Sequence, residues 1–199
     1  MTDNLNTIKS LALFAALATA FDGLHPLCDQ WVQNDKDACG KGLHGDHLVR
    51  RDGTPVSESS GHQAQTMTAS AYGRRAAARH VASYSAVQLA AAVAITRSLG
   101  HRVPAGALLA GTAINAITHG VIDRRDPLIW LAKKAGKYGY VQHATVVRKA
   151  GGESTEHPEP VQDVAGPGTA LMELDQALHR AIGVAAAAVT AYIAARARR

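Results

Sequence analysis

Aromatic residues are scarce in this chain, 5% of its 199 residues, with only 2 Trp and 2 Phe. The apolar fraction of 47% is carried instead by Ala, Leu, Val and Ile, which suits close-packed helices better than a β-sandwich. Cysteine is nearly absent. Cys28 and Cys39 form neither a CxxC nor a disulfide framework, and they read as two free thiols in a reducing compartment. The lysines and arginines do not interleave with aromatics, and no helix-turn-helix, zinc-finger or RNA-binding signature is present, so nucleic acid is not an expected partner. The modest net charge of +5 fits a membrane surface or a phosphate-bearing small molecule at least as well. The N-terminus lacks the marks of a cleaved secretory signal. Only Lys9 precedes the apolar run Leu11–Phe21, and the run ends in Asp22 and His25 rather than in a small-residue cleavage site.

What is present is a single helical domain over residues 1–199, with helices expected at about 6–36, 65–99, 104–134 and 169–198. Pro26 is expected to bend or break the first helix and Gly73 to interrupt the second. Pro104 suits a helix start, and Asp126-Pro127 restarts a short amphipathic helix within the third segment. Two long loops, 40–62 and 136–168, separate these elements. The second holds a β-prone piece, Tyr138 to Val147, and an acidic, Pro-rich stretch from Glu153 to Pro167.

Polarity repeats where sequence does not. The first and third helices run from apolar to polar, and the second and fourth from polar to apolar. An all-α, up-down four-helix bundle then gathers every polar half, and both long loops, at one end. Leu11–Phe21, Ala105–Ile117 and Ala181–Ala195 carry almost no charge on any face, whereas a water-facing helix needs a polar stripe. Extended into their polar halves, these helices reach the roughly 20 residues that span a bilayer. The expectation is a bundle embedded in the cytoplasmic (inner) membrane. Arg74, Arg75, Arg79, Arg124, Arg125, Lys133, Lys134 and Lys137 weight the polar end with positive charge and point it to the cytoplasm.

Chemistry concentrates at that end. His25, Asp29 and Gln33 stand at i, i+4 and i+8 on the first helix; Asn115, His119 and Asp123 repeat the spacing on the third; Asp175/His179 and His80/Tyr84 share it. Imidazole and carboxylate are ligands for zinc, iron or manganese. His25, Asp29, His119, Asp123, Asp175 and His179 are therefore the expected metal ligands, holding one or two divalent ions, zinc first among them. His80 is a ligand or general base. Gln33, Asn115 and Tyr84 suit supporting hydrogen bonds or substrate contact. Arg79 and Arg124 are assigned to charge neutralisation, and the Arg124–Arg125 pair can grip a phosphate or simply cap a helix C-terminus. His44 and His47 lie in a solvated loop; His62, His101, His143 and His157 read as surface; Trp31 and Trp130 read either as interface anchors or as packing.

HPLCDQWVQ (25–33), RHVASY (79–84), THGVIDRR (118–125) and LDQALH (174–179) together resemble a family of bacterial and phage membrane proteins defined only as a domain of unknown function. The resemblance touches all four helices and implies membrane helices carrying this His/Asp pattern. More distantly, His25/Asp29 and His119/Asp123 are similar to the H-x3-D pairs of membrane-bound metal-dependent hydrolases and zinc phospholipase C. That likeness implies a zinc cluster that cleaves phosphoesters. The N-terminal Trp ligand of the phospholipases has no counterpart at Met1, and no Pro and His follow Gln33.

The function expected is thus a membrane-associated metal-dependent hydrolase acting on a phosphoester, with membrane lipid as the surrounding partner. The alternatives are a non-enzymatic membrane protein, such as a phage or host envelope factor with a structural polar cluster, and a soluble nucleic-acid regulator using the arginines.

Overall fold

The computed structural model describes residues 2–56, 65–143, 146–148, 159–161, 166 and 168–197. Most of them are helical. In chain order the elements are α1 (Thr2–Leu27), a wider π-helical turn (Cys28–Val32), α2 (Asp35–Gly40), β1 (Leu48–Arg50), β2 (Thr66–Thr68), α3 (Ala69–Ser98), α4 (Ala105–Ile122), α5 (Asp126–Lys134), α6 (Tyr138–Gln142), β3 (Val146–Arg148), β4 (Glu159–Val161) and α7 (Ala170–Arg196).

The long helices begin where their caps dictate. Thr68 accepts a hydrogen bond from the Ala71 amide at the start of α3, and Thr169 accepts one from Met172 at the start of α7. Each such cap contributes about 1 kcal/mol. Pro104 opens α4, where its missing N–H costs nothing. Between α3 and α4 the chain turns through Gly100 at φ +75°, a conformation glycine adopts without a Cβ clash.

Several boundaries differ from the sequence expectation. Pro26 does not break α1; it sits inside the helix, and the ladder widens just after it into the π-helical turn, closed by Gln33 N–H donating to Cys28 O at 3.0 Å. The expected first helix, 6–36, is therefore three pieces, with α2 separate and capped by Asn34. Gly73 leaves α3 uninterrupted, because the missing side chain makes room for Arg124 and the Leu43 carbonyl. The expected loops contain two short antiparallel hairpins, Leu48–Arg50 with Thr66–Thr68 and Val146–Arg148 with Glu159–Val161. The β-prone 138–147 piece is helical in its first half, where α6 buries Val141 in the apolar cluster beneath α5. His62, His157, residues 57–61 and nearly all of the acidic stretch lie outside the described residues.

Helix α1 packs against α7 and α3, and α4 packs against α7 and α3. The main apolar core joins Leu13, Leu17 and Phe21 of α1, Ala92 of α3, Ala107 of α4 and Ala186, Ala187, Ala191 and Ala194 of α7. These lie in the middle and second half of α1, the N-terminal part of α4 and the C-terminal parts of α3 and α7. Small residues bring the backbones close. A Cβ on Gly111 of α4 would collide with Thr190 Oγ1 and the Ala186 carbonyl of α7.

Helices α1, α4 and α7 are long and apolar enough to cross a membrane. Much of that apolar surface faces outward: Ile8 is 62% exposed, Leu11 61%, Leu109 59% and Ile117 67%.

Candidate metal centre

The inward positions of the long helices recur at i+4. On α1 and the π-helical turn they are Leu13, Leu17, Phe21, His25 and Asp29; on α3, His80, Tyr84, Gln88, Ala92 and Thr96; on α4, Ala107, Gly111, Asn115 and His119, continued by Asp123; on α7, His179, Gly183, Ala187 and Ala191. Residues at this spacing share a face, so the end of each ladder delivers imidazole or carboxylate to one place.

His25, His80, His119 and His179 are all buried, and so is Asp123. His80 Nε2 lies 2.8 Å from His119 Nε2, 3.2 Å from Asp29 Oδ1 and 3.5 Å from Asp123 Oδ2. His119 Nε2 lies 3.2 Å from Asp123 Oδ2 and 3.8 Å from Asp29 Oδ1. The other oxygen of Asp29, Oδ2, is 3.3 Å from His25 Nε2 and accepts a hydrogen bond from Gln176 at 3.2 Å. Asp29 thus has one oxygen toward each of two neighbouring groups of ligand atoms, one with His80 and His119, the other with His25. The rings crowd as well, His25 stacking on His179 at 4.9 Å and His119 lying 4.1 Å from His179.

Such crowding is unfavourable unless the groups are satisfied. Both nitrogens of His25, Asp29 Oδ1, both oxygens of Asp123 and His179 Nε2 are buried without a well-formed hydrogen bond. Neighbours 3.1–3.5 Å away are present, Lys41 beside Asp123 Oδ1 among them, but poorly aligned for bonding. Ligand atoms about 2.0–2.2 Å from a common ion stand about 3.3 Å apart in a tetrahedron, close to the separations seen. Three overlapping sets have their ligand atoms within 4.8 Å of one another: His25/His119/His179, Asp29/His80/His119 and Asp123/Asp175/His179. The donor set, the unpaired atoms and the distances all fit a divalent ion. His179 shows the supporting contact expected of a ligand: its Nδ1 lies 2.9 Å from the Asp175 carbonyl, which requires a proton there and leaves Nε2 free to face the cluster.

Other expected residues take different places. Tyr84 abuts His119, with ring centres 4.1 Å apart, and its hydroxyl accepts from Gln88. Asn115 donates to Gln88 Oε1 at 2.8 Å, and Gln88 also donates to the Phe21 carbonyl, so these residues form a polar layer beneath the histidines. Gln33, displaced by the π-helical turn, accepts from Lys41. The two arginines assigned to charge neutralisation do not meet the cluster. Arg79 pairs with buried Asp37, Nε to Oδ1 at 3.0 Å, tying α3 to α2. Arg124 donates to the Lys41 and Leu43 carbonyls at 2.6 and 2.8 Å, pinning the loop after α2. Their positions follow from helix phase: neither is on the inward i+4 ladder. His44 contacts Asp126 at 3.4 Å, away from the cluster, and His143 is exposed.

Lys41 was not legible as a site residue. Its Nζ is 3.1 Å from Asp123 Oδ1. It lies in an aperiodic segment, and only the docking of that segment by Arg124 brings it in. Burial works against the Asp123 charge, but His119 and Lys41 outweigh it and hold the carboxyl well below the usual carboxylate range.

A cleft of about 750 Å³ opens onto Asp29, Asp123 and Asp175, with Lys41, Arg125 and Gln176 on its walls. A shallower depression lined by Lys36, Arg50 and Asp52 contains none of the cluster residues. No protein-family model, curated protein or solved structure matches the chain.

Proposed function

We propose that the protein is a membrane-embedded, metal-dependent hydrolase of phosphoesters, built as an up-down four-helix bundle with its site at the polar end. The carrying observation is the set of buried His and Asp atoms without well-formed hydrogen bonds, within 4.8 Å of one another and beside an open cleft. The same residues carry the resemblance to the bacterial and phage membrane-protein family of unknown function and, more distantly, to the zinc phospholipases.

His25, Asp29, His119, Asp123, Asp175 and His179 hold one or two divalent ions, zinc being the best match to a nitrogen-rich donor set and iron or manganese the alternatives. When bound, such ions activate water and draw charge from a phosphoryl oxygen. Asp29, with an oxygen toward each ligand group, is the residue able to serve two ions. His80 is a ligand or proton acceptor; its Nδ1 is buried without a partner. Lys41 orients Asp123 from the outer side. Gln176 orients Asp29.

The membrane reading rests on the apolar outer faces of α1, α4 and α7. Trp31, 83% exposed, and Trp130, 60% exposed, stand near the polar end where aromatic anchors meet headgroups. The excess of Lys and Arg at this end directs it to the cytoplasmic side of the inner membrane.

Elemental analysis of protein purified in detergent tests the metal reading. About one to two ions per chain are expected; less than about half an ion per chain, even after zinc or manganese is added, overturns it. If His119→Ala abolishes folding along with metal binding, a structural cluster in a non-enzymatic envelope protein replaces the hydrolase.

A further inference from the structure

Two consecutive arginines follow α4, and both reach the loop that carries Lys41. Arg124 turns inward to the loop carbonyls of Lys41 and Leu43. Arg125 faces the cleft, and among the described residues its guanidinium has no hydrogen bond or ion pair. The backbone at the second of them is strained. Arg125 has φ +66° and ψ −51°, and Asp126 N–H donates to the Arg124 carbonyl at 2.7 Å, closing a γ-turn of the strained hand. It is the one positive-φ residue other than glycine among the described residues. Such strain persists where the surroundings enforce it, often at ligand sites.

The strained turn places Arg125 against the loop that carries Lys41. A Cβ on Gly42 would come within 3.1 Å of the Arg125 guanidinium carbon, so the guanidinium lies over a bare stretch of backbone immediately after Lys41. Lys41 and Arg125 therefore line the same cleft as Asp29, Asp123 and Asp175. Three carboxylates against two cations repel an anion; divalent ions on the carboxylates reverse the sign. Ile122, Leu128 and Leu171, at the edge of the buried apolar cluster, also line the cleft.

We propose that Arg125 and Lys41 bind the phosphate-monoester group of an amphiphilic ligand, whose apolar portion lies on Ile122, Leu128 and Leu171. A free guanidinium with paired donors matches a phosphate dianion, and apolar lining in the same cleft favours a ligand with a hydrocarbon portion over free phosphate. This assignment rests on the metal reading above, because the ions supply the positive balance of the cleft.

The experiment is calorimetric titration of zinc-loaded protein in detergent with inorganic phosphate, with dihexanoyl phosphatidic acid and with dihexanoyl phosphatidylcholine, which has the same chains but no monoester. Zinc content is measured in parallel. Arg125→Ala and Arg125→Gly are compared with the native chain. Both variants are expected to weaken phosphate and phosphatidic acid by about tenfold or more and to keep their zinc. Phosphatidic acid should bind the native chain more tightly than either other probe. Arg125→Gly, which suits positive φ, should melt at a higher temperature than the native protein while binding worse. Unchanged affinity in both variants with zinc retained overturns the proposal and leaves the metal reading intact. No binding by the native chain also overturns it, whether or not zinc is present. Absence of zinc alone defeats the metal reading; binding that still depends on Arg125 would then preserve the anion site.

Discussion

Along α1 the inward ladder runs Leu13, Leu17, Phe21 and then His25 and, in the π-helical turn, Asp29; along α7 it runs the other way, from His179 to Gly183, Ala187 and Ala191. One backbone period thus serves two ends of very different character. At the apolar end the buried groups are satisfied by packing. Leu17 is fully enclosed, and α4 and α7 close on each other at Gly111 and Thr190. At the polar end, imidazoles and carboxylates are packed as closely, yet many of their atoms have no well-formed bond. The apolar end holds the helices together, whereas the polar end gives up some of that stability to keep imidazole and carboxylate atoms without well-formed bonds and aimed inward, a local inconsistency of the kind that marks functional sites.

The comparison is broken most directly at its stable end. Leu17→Ala should lower unfolding free energy by about 3 kcal/mol, measured by denaturant titration in detergent, with the metal content of the folded fraction unchanged. Loss of metal from the folded fraction would mean that the two ends are not separable.

At the polar end, His119→Ala should weaken metal affinity about 100-fold, or about 2.7 kcal/mol, read by competition with a chelating dye. The metal-free variant should be no less stable than the metal-free native chain, because His119 is crowded by His80, His179 and Asp123 and its Nδ1 has no partner there. A marked loss of metal-free stability would instead identify a structural network. Metal retention should also fall as pH is lowered from about 8 to about 5, since imidazole must be neutral to ligate and protons compete for it; retention independent of pH would exclude histidine ligands.

A smaller effect is expected at the α4–α7 contact of the apolar end. Gly111→Ala places a methyl against Thr190 and the Ala186 carbonyl, and should cost about 2 kcal/mol as α4 is pushed from α7, again by denaturant titration. Thr169→Ala removes the N-cap of α7 and should cost about 1 kcal/mol. If the cap variant proved costlier than Leu17→Ala, helix initiation and not core packing would hold the apolar end together.

The helices were legible because their periodicity and caps are local. Pro104 and Asp126-Pro127 marked real starts, and the polarity switch along each helix announced where His and Asp would collect. That the six candidate ligands and His80 gather in one place was legible for the same reason, each standing at i+4 from a neighbour on its own helix or beside one. Arg79 and Arg124 were misassigned because adjacency in sequence says nothing about helix phase. One step off the inward ladder sends Arg79 to Asp37, and Arg124, just past the end of α4 and off that ladder, reaches loop carbonyls. Lys41 carried no periodic signal at all, and Gln88 was a polar residue set in the apolar half of its helix until its contacts with Asn115 and Tyr84 appeared.

Sequence alone therefore determined the helical class, the i+4 ladders and the chemistry at the end of each, since these follow from the geometry of a single helix. Tertiary structure alone decided which cations share a cleft with the carboxylates, which arginines are spent on the scaffold, and that Asp29 turns an oxygen toward each ligand group. Those depend on how a π-helical turn, a strained γ-turn and an aperiodic loop dock on one another, and no local preference encodes such docking.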